Sequence, residues 1–487
     1  MTKYFVYTSL TTLVSLLAIL LVITYTSPSR QVSGYAVSNI GLTKGFEKRL
    51  SDAIKIRTVT RVKQTEADTA SFVELRSFLE RNFPLVHKHL YREQINDLSL
   101  LYTWQGTDTL SAPILLMAHM DIVPADDSLQ WKHHPFEGKI SEGYIYGRGT
   151  LDIKSGILGI LEAVELLLKE GEKPKQTIYL AFGHDEESGI GSGAKAIAQT
   201  LEKRNIKLAH VLDEGGVVLK NALPGLNKPV ALIGVAEKGA MNVEIVSKGI
   251  GGHASMPPAE SSVTRLSDAI QKIKNNPFPP ALSGATGAMF DYTAPEMDFP
   301  YNIIFTNKWL TGPLIKNMMS KKHTTNASIR TTVAVTMLES SSKENVLPSE
   351  ARAIANLRLL PGTSPTDALE YLSNVIDDTL TEVKIWGTSS SPLDISDTAA
   401  PEFRHIRKTV SSVFPEAITA PFLLIALTDS RHFEALTNNI YRFHPAVYEE
   451  PEDLSMLHGR DEKISVKNYS QVIKFYYTLI KNSQHMH

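Results

Sequence analysis

Three short apolar runs in this chain each end on residues able to hold a metal or move a proton. Ile114-Leu115-Leu116-Met117-Ala118 closes on His119 and, two residues later, Asp121. Thr177-Ile178-Tyr179-Leu180-Ala181-Phe182 opens into Gly183-His184-Asp185-Glu186-Glu187, and Leu208-Ala209-His210-Val211-Leu212 closes on Asp213. A further acid, Asp152, follows Tyr146-Gly147-Arg148-Gly149-Thr150-Leu151. Short apolar runs bounded by turn signals have the character of strands buried on both faces. In open α/β sheets, ligands collect outside the carboxyl ends of the strands, so residues remote in sequence can meet there.

The segments between these runs are helical in pattern. Ser155 to Glu170 carries Ile157, Leu158, Ile160, Leu161, Val164, Leu167 and Leu168 on one wide apolar face, with Gly171 placed to cap it. Gly41 to Thr58, Ser71 to Phe83 and Ala194 to Lys203 also read as helices, and Val466 to Ile480 as a terminal one. Alternation of strand and helix predicts an α/β catalytic domain whose mostly parallel sheet is sandwiched by helices.

A chain of 487 residues exceeds one typical core. Its pattern changes at Glu237-Lys238-Gly239: Ala240 to Ser247 alternates like a half-exposed strand, and Pro257 to Lys274 looks helical. Strands at Ser328 to Met337, Glu350 to Leu359 and Thr381 to Trp386, with a helix at Pro365 to Leu380, complete a smaller α+β set. The expected organisation is a catalytic domain over 40–237 and 393–487, interrupted by a lid domain over 238–392. Thr388 to Pro392 reads as the return linker or an ordered turn. The Pro/Gly-rich stretch Asn276 to Thr311 shows no assignable period.

Lys3 precedes Phe5 to Tyr25, a stretch without charge. About 20 apolar residues suffice to cross a bilayer, and the run outlasts the usual h-region with no small-x-small cleavage site behind it. Residues 1–30 are therefore expected to form an uncleaved signal-anchor, the alternative being secretion after cleavage. Either places the catalytic part outside the cytosol, in a periplasmic, lumenal or extracellular space. A formal net charge of −2 without a long basic run leaves nucleic-acid binding no electrostatic footprint. With no cysteine, any metal must be held by His, Asp and Glu.

The adjacent carboxylates of Glu186 and Glu187 at the mouth of a buried strand call for a cation. A metal splits them into two tasks, one glutamate ligating and the other free to take a proton from an activated water.

Five motifs occur in order: His119-Met120-Asp121, Gly147 to Lys154, Gly183 to Glu187, Asp213-Glu214-Gly215-Gly216 and His458-Gly459-Arg460-Asp461-Glu462. Together they resemble the signatures of the co-catalytic zinc peptidases of the aminoacylase and glutamate-carboxypeptidase type, and within them the carboxypeptidase S and N-fatty-acyl-amino-acid synthase/hydrolase branch. The resemblance implies two Zn²⁺ per chain bridged by Asp152, with His119 and Asp213 completing one site and Glu187 and His458 the other. It implies Glu186 as general base and a cis peptide at Asp152–Ile153. Asp121, on the same strand face as His119, would accept the imidazole's second N–H. His253, in Gly251-Gly252-His253-Ala254-Ser255, would stabilise an oxyanion from the same chain or from a dimer partner through the lid domain. Arg358, and as a second candidate Arg431, would grip a substrate carboxylate.

The implied activity is hydrolysis of a peptide or amide bond beside a free carboxylate, as a metallocarboxypeptidase or as an N-acyl amino acid amidohydrolase. Met289, Phe290, Tyr292, Phe299, Ile303, Phe305 and Trp309 are either ordinary core or the lining of a lipid-accepting groove.

Overall fold

The computed structural model describes residues 2–36, 40–60, 66–126, 128–189 and 191–485. Its main sheet has ten strands. Their order is Tyr91–Ile95, Ser99–Trp104, Ile178–Gly183, Ile114–His119, His210–Asp213, Ile440–Arg442, Val230–Glu237, Val217–Leu219 and Val447–Tyr448, with Ile418–Leu424 also paired to Val230–Glu237. The centre, from Ile178–Gly183 to Ile440–Arg442, is parallel. The flanks contain antiparallel pairs, so the sheet is mixed rather than mostly parallel. A short connection explains one of these pairs. Asn96 and Asp97, with φ of 47° and 64°, turn Tyr91–Ile95 directly into Ser99–Trp104. A turn of that length permits only antiparallel pairing, because a parallel one needs a crossover.

Side chains of a strand alternate between the two faces. Ile114, Leu116 and Ala118 accordingly pack with the helices Lys154–Lys169 and Val466–Lys481, whereas Leu115 and Met117 pack with Ala194–Lys203. Gly159 lets the first two helices approach closely, since a Cβ there would lie 2.6 Å from Val472 Cγ1. The predicted helix at Ser155 to Glu170 is thus observed one residue earlier.

A second, four-stranded antiparallel sheet orders Thr332–Glu339, Glu350–Leu359, Gly239–Lys248 and Thr381–Ser390. The helices Ser262–Asn275 and Pro365–Ile376 cover it, each begun by a serine (Ser261, Ser364) whose hydroxyl accepts a backbone N–H three residues on. Met241, Val243, Ile245, Leu266, Leu357 and Leu372 form a core of their own. Ser389 and Ser390 pair with Met241 and Ala240, so Thr388 to Ser390 continue a strand instead of forming a linker.

The stretch without assignable period folds largely as helices: Gly284–Thr293, Tyr301–Thr306 and, running beyond it, Lys308–Ser320. Pro295, Pro300 and two glycines, Gly284 and Gly287, break its apolar spacing, which is why no period showed. Met289, Phe290, Phe305 and Ile315 bury into the main core rather than that of the smaller sheet. Phe290 and Phe305 stack with centroids 4.6 Å apart. The N-terminal helix Thr2–Thr26 docks on this segment: Asn307 Nδ2 donates to Thr24 Oγ1 at 2.9 Å and to Leu20 O at 3.3 Å.

Where the two sheets meet, Glu237 and Arg442 form an ion pair at 3.2 Å, both almost wholly buried. Glu237 also accepts the Thr428 N–H at 3.0 Å. Removing one member of such a pair strands the other charge in the interior. Arg442→Met is expected to lower unfolding free energy by about 3–5 kcal/mol in denaturant titrations, and Glu237→Gln combined with Arg442→Met to recover part of that loss.

Candidate metal centre

His119 is the last residue of its strand and is buried. Its Nδ1 lies 2.9 Å from the Asp121 carbonyl oxygen and 3.4 Å from Asp121 Oδ1. A proton on Nδ1 donated there leaves the Nε2 lone pair facing the site. Nε2 points at Asp152 Oδ1, 2.9 Å away, and at Glu214 Oε1, 3.2 Å away. The other oxygen of Asp152 lies 3.0 Å from His458 Nε2, which is also 3.1 Å from Glu187. Asp152 therefore stands between two imidazoles with one carboxylate oxygen toward each. Three groups of potential ligands result: His119, Asp152 and Glu214; His119, Glu186 and Glu187; Asp152, Glu187 and His458.

Each member is fixed by its surroundings. Asp152 precedes a cis peptide to Ile153 and the helix beginning at Lys154, whose N-terminus favours a nearby negative charge. The loop before it is clamped by Glu462, wholly buried, whose carboxylate accepts the N–H of Leu151 at 2.7 Å and of Gly149 at 3.0 Å. Its second oxygen takes Arg148 Nη1 at 2.7 Å, and Arg148 Nη2 donates to the carbonyls of His458 and Gly459 at 3.1 and 2.9 Å. One buried ion pair thereby locks the Asp152 loop to the His458 loop. Asp121 holds the acidic turn: its carboxylate accepts the backbone N–H of Glu186 at 3.2 Å, that of Glu187 at 3.0 Å and the Thr60 hydroxyl at 2.7 Å. Asp185 fixes the far side of that turn through the N–H groups of Ser192 and Gly193, and His184 sits between the hydroxyls of Ser99 and Ser192.

Two sequence expectations change. Glu214, not Asp213, joins His119 and Asp152. Asp213 shares the sheet face of Val211, and its carboxylate is taken up by the N–H groups of Ser430 and Glu214, both at 2.9 Å. The next residue turns to the opposite side, where the first metal group lies. Gly216 makes the turn possible, since a Cβ there would come within 2.2 Å of Leu232 O and 2.4 Å of Arg442 O. Asp121 meets His119 chiefly through its backbone carbonyl, while its carboxylate serves the glutamate turn.

The remaining expected residues lie outside the cluster. Arg358, half-buried near the end of its strand, and Arg431, in the turn Asp429–Phe433, have no ion pair among the described residues. Burial lowers the Arg358 guanidinium from its ordinary value, and the charge of Arg431 lowers it further, so the two face one another's field. Ser430, which binds Asp213, sets Arg431 next to the cluster. His253 is exposed on a short pairing with Val346, its Nδ1 3.1 Å from the Ser255 N–H, and no described contact joins it to the metal groups.

The electrostatics follow from this crowding of acids and imidazoles. Burial pushes Glu186 well above the carboxylate range, with Glu214, Asp429 and Glu187 adding to it against His119. Burial likewise raises Glu214, to about 7. The His458 imidazole is carried up to about 10 by its hydrogen bonds to Asp152 and Glu187. Burial alone would depress His119, yet Glu214, Asp121 and Asp152 hold it well above its ordinary value. Each imidazole stands among carboxylates whose charge a divalent cation would neutralise. Two imidazole nitrogens with three to four carboxylates and no sulfur form a donor set suited to Zn²⁺ and its neighbours. Asp429 is a further buried acid that sequence reading passed over, its Oδ2 without a hydrogen-bond partner among the described residues.

The family model for peptidase family M20/M25/M40 matches residues 115–482. The chain is 40% identical over 462 residues to a probable carboxypeptidase S-like 2 from Dictyostelium discoideum, covering 94% of this chain and 88% of that one. It is 40% identical over 443 residues to the human N-fatty-acyl-amino acid synthase/hydrolase PM20D1, covering 90% and 88%. In fold it resembles an M20 family metallo-carboxypeptidase from Sulfolobus solfataricus, with a TM-score of 0.63 at 17% identity over 90% of this chain and 99% of that one. From the paired histidines around Asp152 to the match along most of its length, the chain belongs to peptidase family M20/M25/M40 and is a hydrolase of its metallopeptidase type.

Proposed function

We propose that the enzyme holds two zinc ions and hydrolyses an amide bond next to a free carboxylate. His119, Asp152 and Glu214 would hold one ion, Asp152, Glu187 and His458 the other. Bound there, the ions would polarise the scissile carbonyl and make water acidic enough to ionise near neutral pH. The observation that carries the reading is Asp152, with an oxygen directed to each imidazole.

Glu186 takes the proton from the attacking water and delivers it to the departing nitrogen. Among the described residues nothing binds its carboxylate, and its raised proton affinity suits a group that must hold a proton between the two steps. Arg358 and Arg431 receive the substrate's carboxylate, which supplies the counter-charge neither finds among the described residues. His253, exposed and away from the cluster, reaches an oxyanion only when the smaller domain closes or when a second copy presents it. The N-terminal helix has a 20-residue span, Tyr7–Thr26, long and apolar enough to cross a membrane, and serves as an anchor that leaves the catalytic part on the non-cytosolic side.

The relatives divide between carboxypeptidase S-like proteins and fatty-acyl amino acid hydrolases, and both leave the same half of the substrate in place: an amino acid with its carboxylate free. The acyl side alone separates them. A panel pairing a Gly-Leu dipeptide with an N-oleoyl amino acid decides which this chain prefers.

Glu186→Ala is expected to keep both metals by elemental analysis while kcat falls by about 10²–10⁴-fold. Unchanged kcat would remove Glu186 as the base. Glu214→Gln is expected to lose bound metal under dialysis that leaves Asp213→Asn fully loaded; the reverse order would return Asp213 to the ligand set. Arg358→Ala is expected to raise KM for a substrate with a free carboxylate by roughly 10–100-fold, the worth of a charged hydrogen bond. With the carboxyl amidated, wild type and variant should become equally poor.

A further inference from the structure

The helix Lys308–Ser320 is apolar on both sides. Ile315 and Met319 point into the core, whereas Leu310, Leu314 and Met318, spaced four apart on the outside, are exposed together with Trp309. Trp309 is 63% exposed, Leu314 49%, and nearby Phe299 71%. A helix hydrophobic all round is normally buried on all sides. Among the described residues nothing covers the outer face of this one.

Its place in the molecule identifies the cover. Asn307, at the start of the helix, is buried and hydrogen bonds to Leu20 and Thr24, near the carboxyl end of the N-terminal apolar span. At about 1.5 Å per residue, the span Tyr7–Thr26 is close to 30 Å long, the thickness of a hydrocarbon core. The outward stripe is therefore tied to one end of the span, at the level of a membrane surface. Charge agrees with that level. From Phe299 to Ala327 the chain carries Lys308, Lys316, Lys321 and Lys322 and no acid. Lys308 is paired with Asp291, while Lys321 and Lys322 are exposed just beyond the stripe. Tryptophan and aliphatic groups with flanking lysines are the composition of helices that lie in the interfacial plane.

We propose that the outer face of Lys308–Ser320, with Phe299 and Trp309, lies in the interfacial layer of a lipid bilayer and holds the catalytic domain down on the surface. This rests on reading the N-terminal helix as a membrane anchor, and the two can be tested apart. The chain has no cysteine, so single-cysteine variants report single sites. Full-length Leu13→Cys, Leu314→Cys, Met318→Cys and Leu110→Cys proteins, each labelled with an environment-sensitive fluorophore, are reconstituted into phosphatidylcholine vesicles. A fraction of that lipid carries a nitroxide on the upper acyl chain. The expected result is loss of fluorescence at Leu314 and Met318 as at Leu13, with Leu110, 96% exposed on a loop, unaffected. Quenching at Leu13 alone keeps the anchor and overturns the docking face. Blue-shifted but unquenched labels at Leu314 and Met318 also overturn it, because protein and not lipid then covers the stripe. Absence of quenching at all sites overturns anchor and docking together.

Discussion

The arrangement depends on one carboxylate. Asp152 places an oxygen against His119 and another against His458, residues separated by most of the chain. Desolvation favours the neutral form of this acid, and His119 and His458 hold its affinity for protons well below the ordinary range against that effect. Much of the surrounding structure serves to keep that geometry. The Arg148–Glu462 pair binds the loops on either side, and the glutamate turn hangs from Asp121. Ser430 draws Asp213 aside so that Glu214 can face inward. The cluster of metal-type side chains is then a property of the folded sheet end rather than of any one motif.

Much of this could be read from the residues. The strand ends at His119, Gly183 and Asp213 fell where the apolar runs stopped, because parallel strands buried on both faces leave few other places for polar side chains. His119, Asp152, Glu187 and His458, from motifs far apart in sequence, lie together at one end of the sheet. What escaped was decided at the scale of one residue or by tertiary packing. The choice between Asp213 and Glu214 depends on which sheet face each occupies, and two adjacent acids look alike without a register. The ion pair Arg148–Glu462 joins positions over three hundred residues apart, and only their membership in two motifs hinted at it. The parallel character was overestimated because the flanking strands include a tight hairpin, Tyr91–Ile95 with Ser99–Trp104, and antiparallel pairings between strands remote in sequence.

The helical segment from Gly284 to Ala327 was the least legible part, for a physical reason. Its prolines and glycines interrupt the spacing that marks a helix, and its outer face carries Trp309 and Leu314 where a soluble helix would carry charge. A pattern apolar on both sides gives no direction for the core. The same property that concealed the fold exposes a surface suited to lipid.

This segment also alters how the two bodies are connected. It lies between strands of the smaller sheet in sequence, yet Met289, Phe290, Phe305 and Ile315 are embedded in the larger core. The chain accordingly passes between the bodies near Lys238, again on either side of the helices, and once more after Ser390. A module tethered so many times is not a removable cassette. Trading residues 238–392 for those of another protein would tear a wall from the catalytic half, so recombination between such enzymes must leave these helices with the larger partner.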